Sequence, residues 1–259
     1  MLGAALSGRI AEIGVGGAML LAVSPVIGSF LGTLVLRLPD RRPILSGRSR
    51  CEHCGVRLAA RDLVPLLSWL IARGRCRRCG HALGWFYPGI ETAAVALAVV
   101  SLAIDSGLAA WIDWLLGCWL LVLGWIDLRR WLLPDALTLP LILVGLAAAA
   151  WLAPGELLDR AAGAAGGYLI LQATAWAYRR IRGIEGLGGG DAKLLAAAGA
   201  WVGAAALPSV LFGAAGTALV AAAGLAVAGT RIKRDSALPF GPFLAAATWV
   251  VWLLGPLPF

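Results

Sequence analysis

Charged residues are scarce in this chain. They make up 14% of the 259 residues, against roughly a quarter in a soluble domain. That shortage excludes an ordinary water-facing surface over most of the sequence. Acids are rarer than bases: 14 Asp and Glu stand against 22 Lys and Arg, for a net charge of +8. Histidine occurs twice. Long polar stretches are missing apart from one, residues 40–85. No internal repeat of the kind many transporters carry is visible, and no glycine-rich nucleotide-binding loop. A cleavable signal is lacking too. Only Arg9 precedes the first apolar run, and that run continues too far for a signal peptide, so it reads as a retained helix.

What is present is apolar. Hydrophobic residues reach 60% and the mean hydropathy is +0.85, carried in runs of about twenty residues, the length that spans a bilayer. The expected fold is an all-α polytopic membrane protein with about eight transmembrane helices. They are placed at about 14–36, 87–104, 108–126, 136–151, 161–178, 191–202, 208–228 and from the 239–242 motif to Leu254. Pro39 ends the first, and Asp135 is read as the N-cap of the fourth. The sixth is short and rich in Ala and Gly, which favours close helix packing but leaves open whether it spans. Three regions follow: 1–39, a first helix; 40–85, a hydrophilic loop; and 86–259, a membrane core.

The basic residues set orientation. With alternating spans, 20 of the 22 Lys and Arg residues fall on or near one face, leaving Arg9 and Arg160 opposite. That face, which takes in the 40–85 loop, the 128–134 link, the glycine-rich stretch and the 231–235 loop, is therefore expected to be cytoplasmic. The net positive charge is a membrane signature of this kind, and no nucleic-acid partner is expected. Trp85, Phe86 and Tyr87 suit a membrane interface.

The loop holds Cys51-Glu52-His53-Cys54 and Cys76-Arg77-Arg78-Cys79. Two such CxxC pairs supply four thiolates at a spacing suited to tetrahedral zinc. In a cytoplasmic loop, metal is favoured over disulfides. A closed four-ligand site leaves no position for substrate, so the zinc would be structural, and in so short a loop it would supply much of the folding energy. A redox dithiol pair is the alternative. His53 and His81 read as solvated neighbours.

Two acids stand out at the ends of apolar runs. Asp191 follows Gly186-Leu187-Gly188-Gly189-Gly190 and precedes Lys193; Asp127 closes the third run. Intramembrane carboxylates are costly, which makes them functional candidates. Topology brings both to one face. Two close carboxylates share a proton, which provides a base to activate water and an acid to polarise a carbonyl or protonate a leaving amine. Gly188 and Gly190 would leave room for an extended substrate backbone. The plainer readings are an N-cap for Asp191 and a partner of Arg129 or Arg130 for Asp127. Glu91, near the inner end of the second helix, is placed to meet Lys193 or a substrate amine; Lys193 would otherwise snorkel to the interface.

At this point the residues resemble the bacterial type IV prepilin peptidases, the prepilin leader peptidase/N-methyltransferase family, over most of the chain. Gly28-Ser29-Phe30-Leu31 with Arg37-Leu38-Pro39 is similar to the family's first helix. The run from Arg48 through Cys54, then Val64-Pro65-Leu66-Leu67-Ser68-Trp69-Leu70 and Gly74 through Cys79, is similar to its zinc loop. Tyr87-Pro88 with Glu91 is similar to its second helix. Asp127 with Leu133-Pro134-Asp135 and Leu137-Thr138-Leu139-Pro140 resembles the segment of its first catalytic aspartate. Gly188-Gly189-Gly190-Asp191 with Lys193-Leu194 resembles the GxGD segment of the second. Pro239-Phe240-Gly241-Pro242 resembles a late motif. One departure is that Gly32 and Thr33 stand where the family usually has asparagine.

The resemblance implies an intramembrane aspartic protease of the bacterial inner membrane, its active site facing the cytoplasm. It would remove short basic leaders from type IV prepilins and pseudopilins, in pilus assembly or type II secretion. It also implies methylation of the new N-terminal amine with S-adenosylmethionine. A peptidase without methyltransferase activity remains an alternative. A proton-coupled transporter with Asp127 and Asp191 as a relay is a reading of another class, which gives no reason for the cysteine loop; a non-enzymatic assembly scaffold whose zinc loop docks partners is a third.

Overall fold

A computed structural model describes residues 14–44, 46, 49–51, 53–183, 188–228 and 238–258. Arg9, Arg48, Glu52, Gly186-Leu187 and the basic loop at 231–235 lie outside the described residues. The described residues form nine α-helices and no β-strand: α1 Val15–Arg37, α2 Leu67–Ile71, α3 Phe86–Ile104, α4 Gly107–Arg130, α5 Asp135–Leu152, α6 Leu157–Arg182, α7 Gly189–Val202, α8 Leu207–Val227 and α9 Gly241–Leu254. Apart from the short α2, these are the eight helices expected from the apolar runs. Five of them, α1, α3, α4, α5 and α8, are long and apolar enough to cross a membrane. The protein is an all-α, multi-pass membrane protein.

The chain divides between Cys118 and Trp119 into two compact units, with the boundary inside α4. In the first unit, α1 and α3 approach closely because glycine allows it. A Cβ on Gly28 would lie 2.7 Å from the Glu91 Cα, so only a hydrogen fits between the two backbones. At Gly32 a Cβ would meet the Tyr87 ring at 3.0 Å. The departure from asparagine at this position thus makes room for an aromatic ring of α3. Leu20, Ile90, Ala94 and Ala98 fill the seam. Trp114 is buried, and its indole N–H donates to the Ala94 carbonyl at 3.0 Å.

In the second unit α7 is the central element. Its residues from Leu194 to Trp201 are all buried. At 14 residues it is about 21 Å long, short of the ~30 Å hydrocarbon core. Burial explains its composition: Ala and Gly let α6 come within backbone contact. A Cβ on Gly199 would run into the Gly163 carbonyl, and one on Gly167 would lie 2.7 Å from the Leu195 carbonyl oxygen. Trp201 fills the space left by Gly145 of α5, and its Nε1 donates to Leu141 O at 3.0 Å.

Two local readings are corrected. The third apolar helix does not stop at Ile126 but runs to Arg130, ending where Trp131 turns left-handed at φ 55°. Leu128, Arg129 and Arg130 are good helix formers, and the two arginines suit the negative end of the helix dipole. Asp135 is not an N-cap. Pro134 holds that position with no side-chain cap, and Asp135 is the first helical residue, pointing at Lys193.

Candidate active site and metal centre

Asp127 is carried near the C-terminal end of α4 and is 7% exposed. Its Oδ2 accepts a hydrogen bond from the backbone N–H of Gly241 at 3.0 Å. Gly241 opens α9, so this N–H is one that an α-helix leaves without an internal partner. The carboxylate therefore satisfies the helix start and sits at the positive end of its dipole. No side chain fits at Gly241: a Cβ there would lie 2.6 Å from Asp127 Oδ2.

Asp191 occupies the first turn of α7, behind the N-cap Gly188. The Gly188 N–H is hydrogen-bonded to its carboxylate, and Asp127 is an electrostatic neighbour of the same carboxylate. Two acids from helices far apart in sequence thus lie within electrostatic reach of each other in the second unit. Asp191 is not the N-cap of its plainer reading, since Gly188 takes that place.

The glycines around Asp191 differ in what they leave open. The space at Gly190 is filled: its Cβ would meet the Leu133 side chain at 2.9 Å. Gly188 and Gly189 instead border a groove of about 530 Å³, with Gln172, Trp176 and Arg179 on its α6 wall. Lys193, two residues beyond Asp191, reaches α5 and pairs with Asp135 at 2.5 Å. Glu91 belongs to the first unit, where it is 5% exposed and accepts the Leu66 backbone N–H at 2.7 Å.

The loop between α1 and α3 brings Cys51, Cys54, Cys76 and Cys79 together. Their Sγ atoms all lie within 4.8 Å of one another, and no disulfide joins them. Cys51 and Cys79 Sγ are 3.9 Å apart. A tetrahedron of sulfurs ~2.3 Å from zinc has edges of about 3.8 Å, so the donor set fits a four-thiolate metal. Backbone N–H groups of Cys79 and Arg78 draw the Cys76 thiol down to about 6. The His81 backbone acts on Cys79 in the same sense, but desolvation and the neighbouring thiols Cys54, Cys76 and Cys51 push it up to about 11. Four sulfurs this close do not all ionise without a cation among them, a charge that a divalent metal held by the four would supply.

The two halves of this centre are copies of one local structure, which the sequence reading missed. Arg50-Cys51-x-x-Cys54-Gly55 recurs 25 residues later as Arg75-Cys76-x-x-Cys79-Gly80. In each half the first cysteine N–H bonds five residues ahead, to Val56 O at 3.0 Å and to His81 O at 2.8 Å. In each half the glycine after the second cysteine turns at positive φ, 66° and 70°, a conformation glycine adopts without cost. His53 and His81 are not among the clustered donors; their rings stack at 4.3 Å.

The comparisons with known proteins agree with the layout. A model of the bacterial peptidase A24 N-terminal domain matches residues 22–104, which hold the four cysteines and Glu91. A model of the type IV leader peptidase family matches residues 114–225, which hold both aspartates. A prepilin leader peptidase/N-methyltransferase of Burkholderia pseudomallei is 45% identical, over 81% of this chain and 68% of its own. Proteins of the same name from Aeromonas hydrophila (37% identical, 90% of this chain and 88% of theirs) and Dichelobacter nodosus (35%, 90% and 89%) match nearly end to end. No solved structure matches. With two family models and relatives of this identity and coverage, the chain belongs to the type IV leader peptidase family, whose matching members are named prepilin leader peptidase/N-methyltransferases.

Proposed function

We propose that this protein removes the short basic leader from type IV prepilins and pseudopilins, with Asp127 and Asp191 as the hydrolytic pair. The observation that carries this reading is the meeting of two acids from separate helices, one anchored by Gly241 and the other by Gly188. One carboxylate, ionised, takes a proton from water. The water oxygen attacks the scissile carbonyl while the other carboxylic acid hydrogen-bonds the developing oxyanion. Collapse of the tetrahedral adduct breaks the C–N bond, and a proton passes to the leaving amine. The groove beside Gly188 and Gly189 offers the substrate backbone an approach to Asp191.

Zinc is the metal proposed for Cys51, Cys54, Cys76 and Cys79, in a structural role. It would hold the two knuckles together; no protein residue outside the four sulfurs is needed. Methylation of the new N-terminal amine by S-adenosylmethionine is proposed from the shared name of the relatives. The charge asymmetry of the sequence supports a place in the bacterial inner membrane with the zinc loop and the aspartates on the cytoplasmic side.

The test uses purified protein in nanodiscs with a precursor whose basic leader ends in glycine. Leader release and transfer of a labelled methyl group from S-adenosylmethionine are read separately. Cleavage that persists in Asp127→Asn or Asp191→Asn protein refutes the pair. Cleavage without methyl transfer would make the protein a peptidase alone.

A further inference from the structure

The zinc loop carries an apolar edge that its own fold leaves uncovered. On α2 and the turn before it, Leu63, Val64, Leu67, Leu70 and Ile71 are exposed, the last two at 62% each. Leu67, Leu70 and Ile71 stand at helical spacing on one side of α2, with Leu63 and Val64 in the turn that leads into it. Elsewhere the loop is arginine-rich, so this edge is an isolated apolar patch, which marks a contact surface.

The loop is fastened at the start of a membrane helix. Trp69 of α2 donates from Nε1 to Gly84 O at 3.0 Å, and its ring lies 4.3 Å from that of Trp85, the N-cap of α3. Leu66 holds an uncommon positive φ of 59° for a non-glycine residue. Its N–H is bound by Glu91, the sixth residue of α3. At 19 residues α3 measures about 28 Å, close to the ~30 Å hydrocarbon thickness, so its first residue lies at the hydrocarbon boundary. Glu91 is then roughly 7.5 Å along the helix from that boundary. An interfacial helix buries its apolar face about 5–10 Å into the headgroup and acyl boundary. The backbone entering α2 is thus tied at the depth such a helix occupies.

We propose that α2 lies in the membrane interface, with Leu67, Leu70 and Ile71 among acyl chains and Arg61, Arg73 and Arg75 against anionic phospholipid headgroups. The occupant is lipid rather than protein because three features coincide. The patch is anchored at interfacial depth. Trp69 and Trp85 lie together beside it, as tryptophans do at membrane boundaries. The exposed arginines around it match the negative charge of a cytoplasmic leaflet. The inference goes beyond the proposed peptidase reaction and does not rest on it.

The test reads lipid contact directly. Full-length protein with a benzophenone amino acid at Ile71 is irradiated in nanodiscs of phosphatidylglycerol and phosphatidylethanolamine, and adducts are identified by mass. Lipid adducts enriched in phosphatidylglycerol are expected. Adducts only to a second copy, or only to an added prepilin precursor, overturn the proposal. So does a lack of lipid adducts when the same probe at Leu143, exposed on the membrane helix α5, yields them. A second readout is tryptic cleavage after Arg73. In a Leu70→Glu/Ile71→Glu variant that keeps its metal, the loss of lipid shielding should speed this cut; an unchanged rate counts against interfacial burial.

Discussion

The backbone N–H of Gly241 donates to Asp127 Oδ2 at 3.0 Å, across 114 residues of chain. This contact gives the Pro239-Phe240-Gly241-Pro242 segment a physical role: it starts a helix whose first N–H aims at an acid, and its glycine lets that acid come close. A Cβ would approach the carboxylate oxygen to 2.6 Å. Gly241→Ala should therefore displace Asp127 and lower leader cleavage by about 10²-fold, the scale of a 1 Å misplacement in an active site. Overpacking at this position should also cost about 1–3 kcal/mol of stability, so the comparison with Asp127→Asn is made at a temperature where both proteins are folded. Wild-type cleavage rates in Gly241→Ala protein would show that this contact does not position the acid.

Asp127→Asn keeps an oxygen to accept the Gly241 N–H and removes only the charge and the titratable proton. The variant should fold, hold its metal and fail to cleave. Asp191→Asn should behave alike, because its side-chain oxygen still faces the Gly188 N–H. Cleavage, melting temperature and metal content, measured on the same preparations, separate a chemical role from a structural one.

Lys193 and Asp135 join α7 to α5 at 2.5 Å, with side chains 31% and 58% exposed. A partly exposed pair of this kind is worth about 1 kcal/mol or less, so Asp135→Asn or Lys193→Met should lower the melting point slightly. Asn at 135 leaves the lysine without its counter-charge, and cleavage should fall more than stability does, because the pair fastens to α5 the first turn of α7 that carries Asp191. Exchange of the two residues, Asp135→Lys with Lys193→Asp, should recover part of the loss. Equal activity in all three proteins would remove the pair from any positioning role.

The cysteine centre should hold about one zinc per chain, the stoichiometry of a four-thiolate site. Cys51→Ser or Cys76→Ser should lower metal content and expose the 40–85 loop to protease. Elemental analysis and limited proteolysis of anaerobically prepared protein read both effects. Stoichiometric disulfides with no bound metal would contradict the assignment.

Gly163 and Gly199 are packed backbone to backbone, so that a Cβ on Gly199 would run into the Gly163 carbonyl. Gly199→Ala should destabilise the second unit by about 1–3 kcal/mol, the range for an overpacked core. Gly166→Ala on α6, the helix that carries Gly163, should not, since no atom lies within 4 Å of a Cβ there. Melting temperatures of the two variants in one detergent give the comparison.

Much of this was legible in the sequence because it is written locally. Apolar runs of bilayer length announce their helices, since lipid requires every backbone group to be satisfied within the segment. Cys51, Cys54, Cys76 and Cys79 announce a metal centre because each CxxC pair presents its sulfurs within one turn. Asp127 and Asp191 drew notice as acids where an acid is costly. The short α7 was visible as an Ala- and Gly-rich segment, though not its burial on all sides. What only the tertiary structure decided is non-local. Leu133 occupies the space at Gly190, Gly241 holds Asp127, Lys193 meets Asp135, and Tyr87 lies over Gly32. Each of these joins residues more than fifty positions apart in the chain, and helix propensity carries no information about which faces will meet. That choice belongs to packing: small residues allow approach at a few positions, and the approach then fixes which side chains share a site.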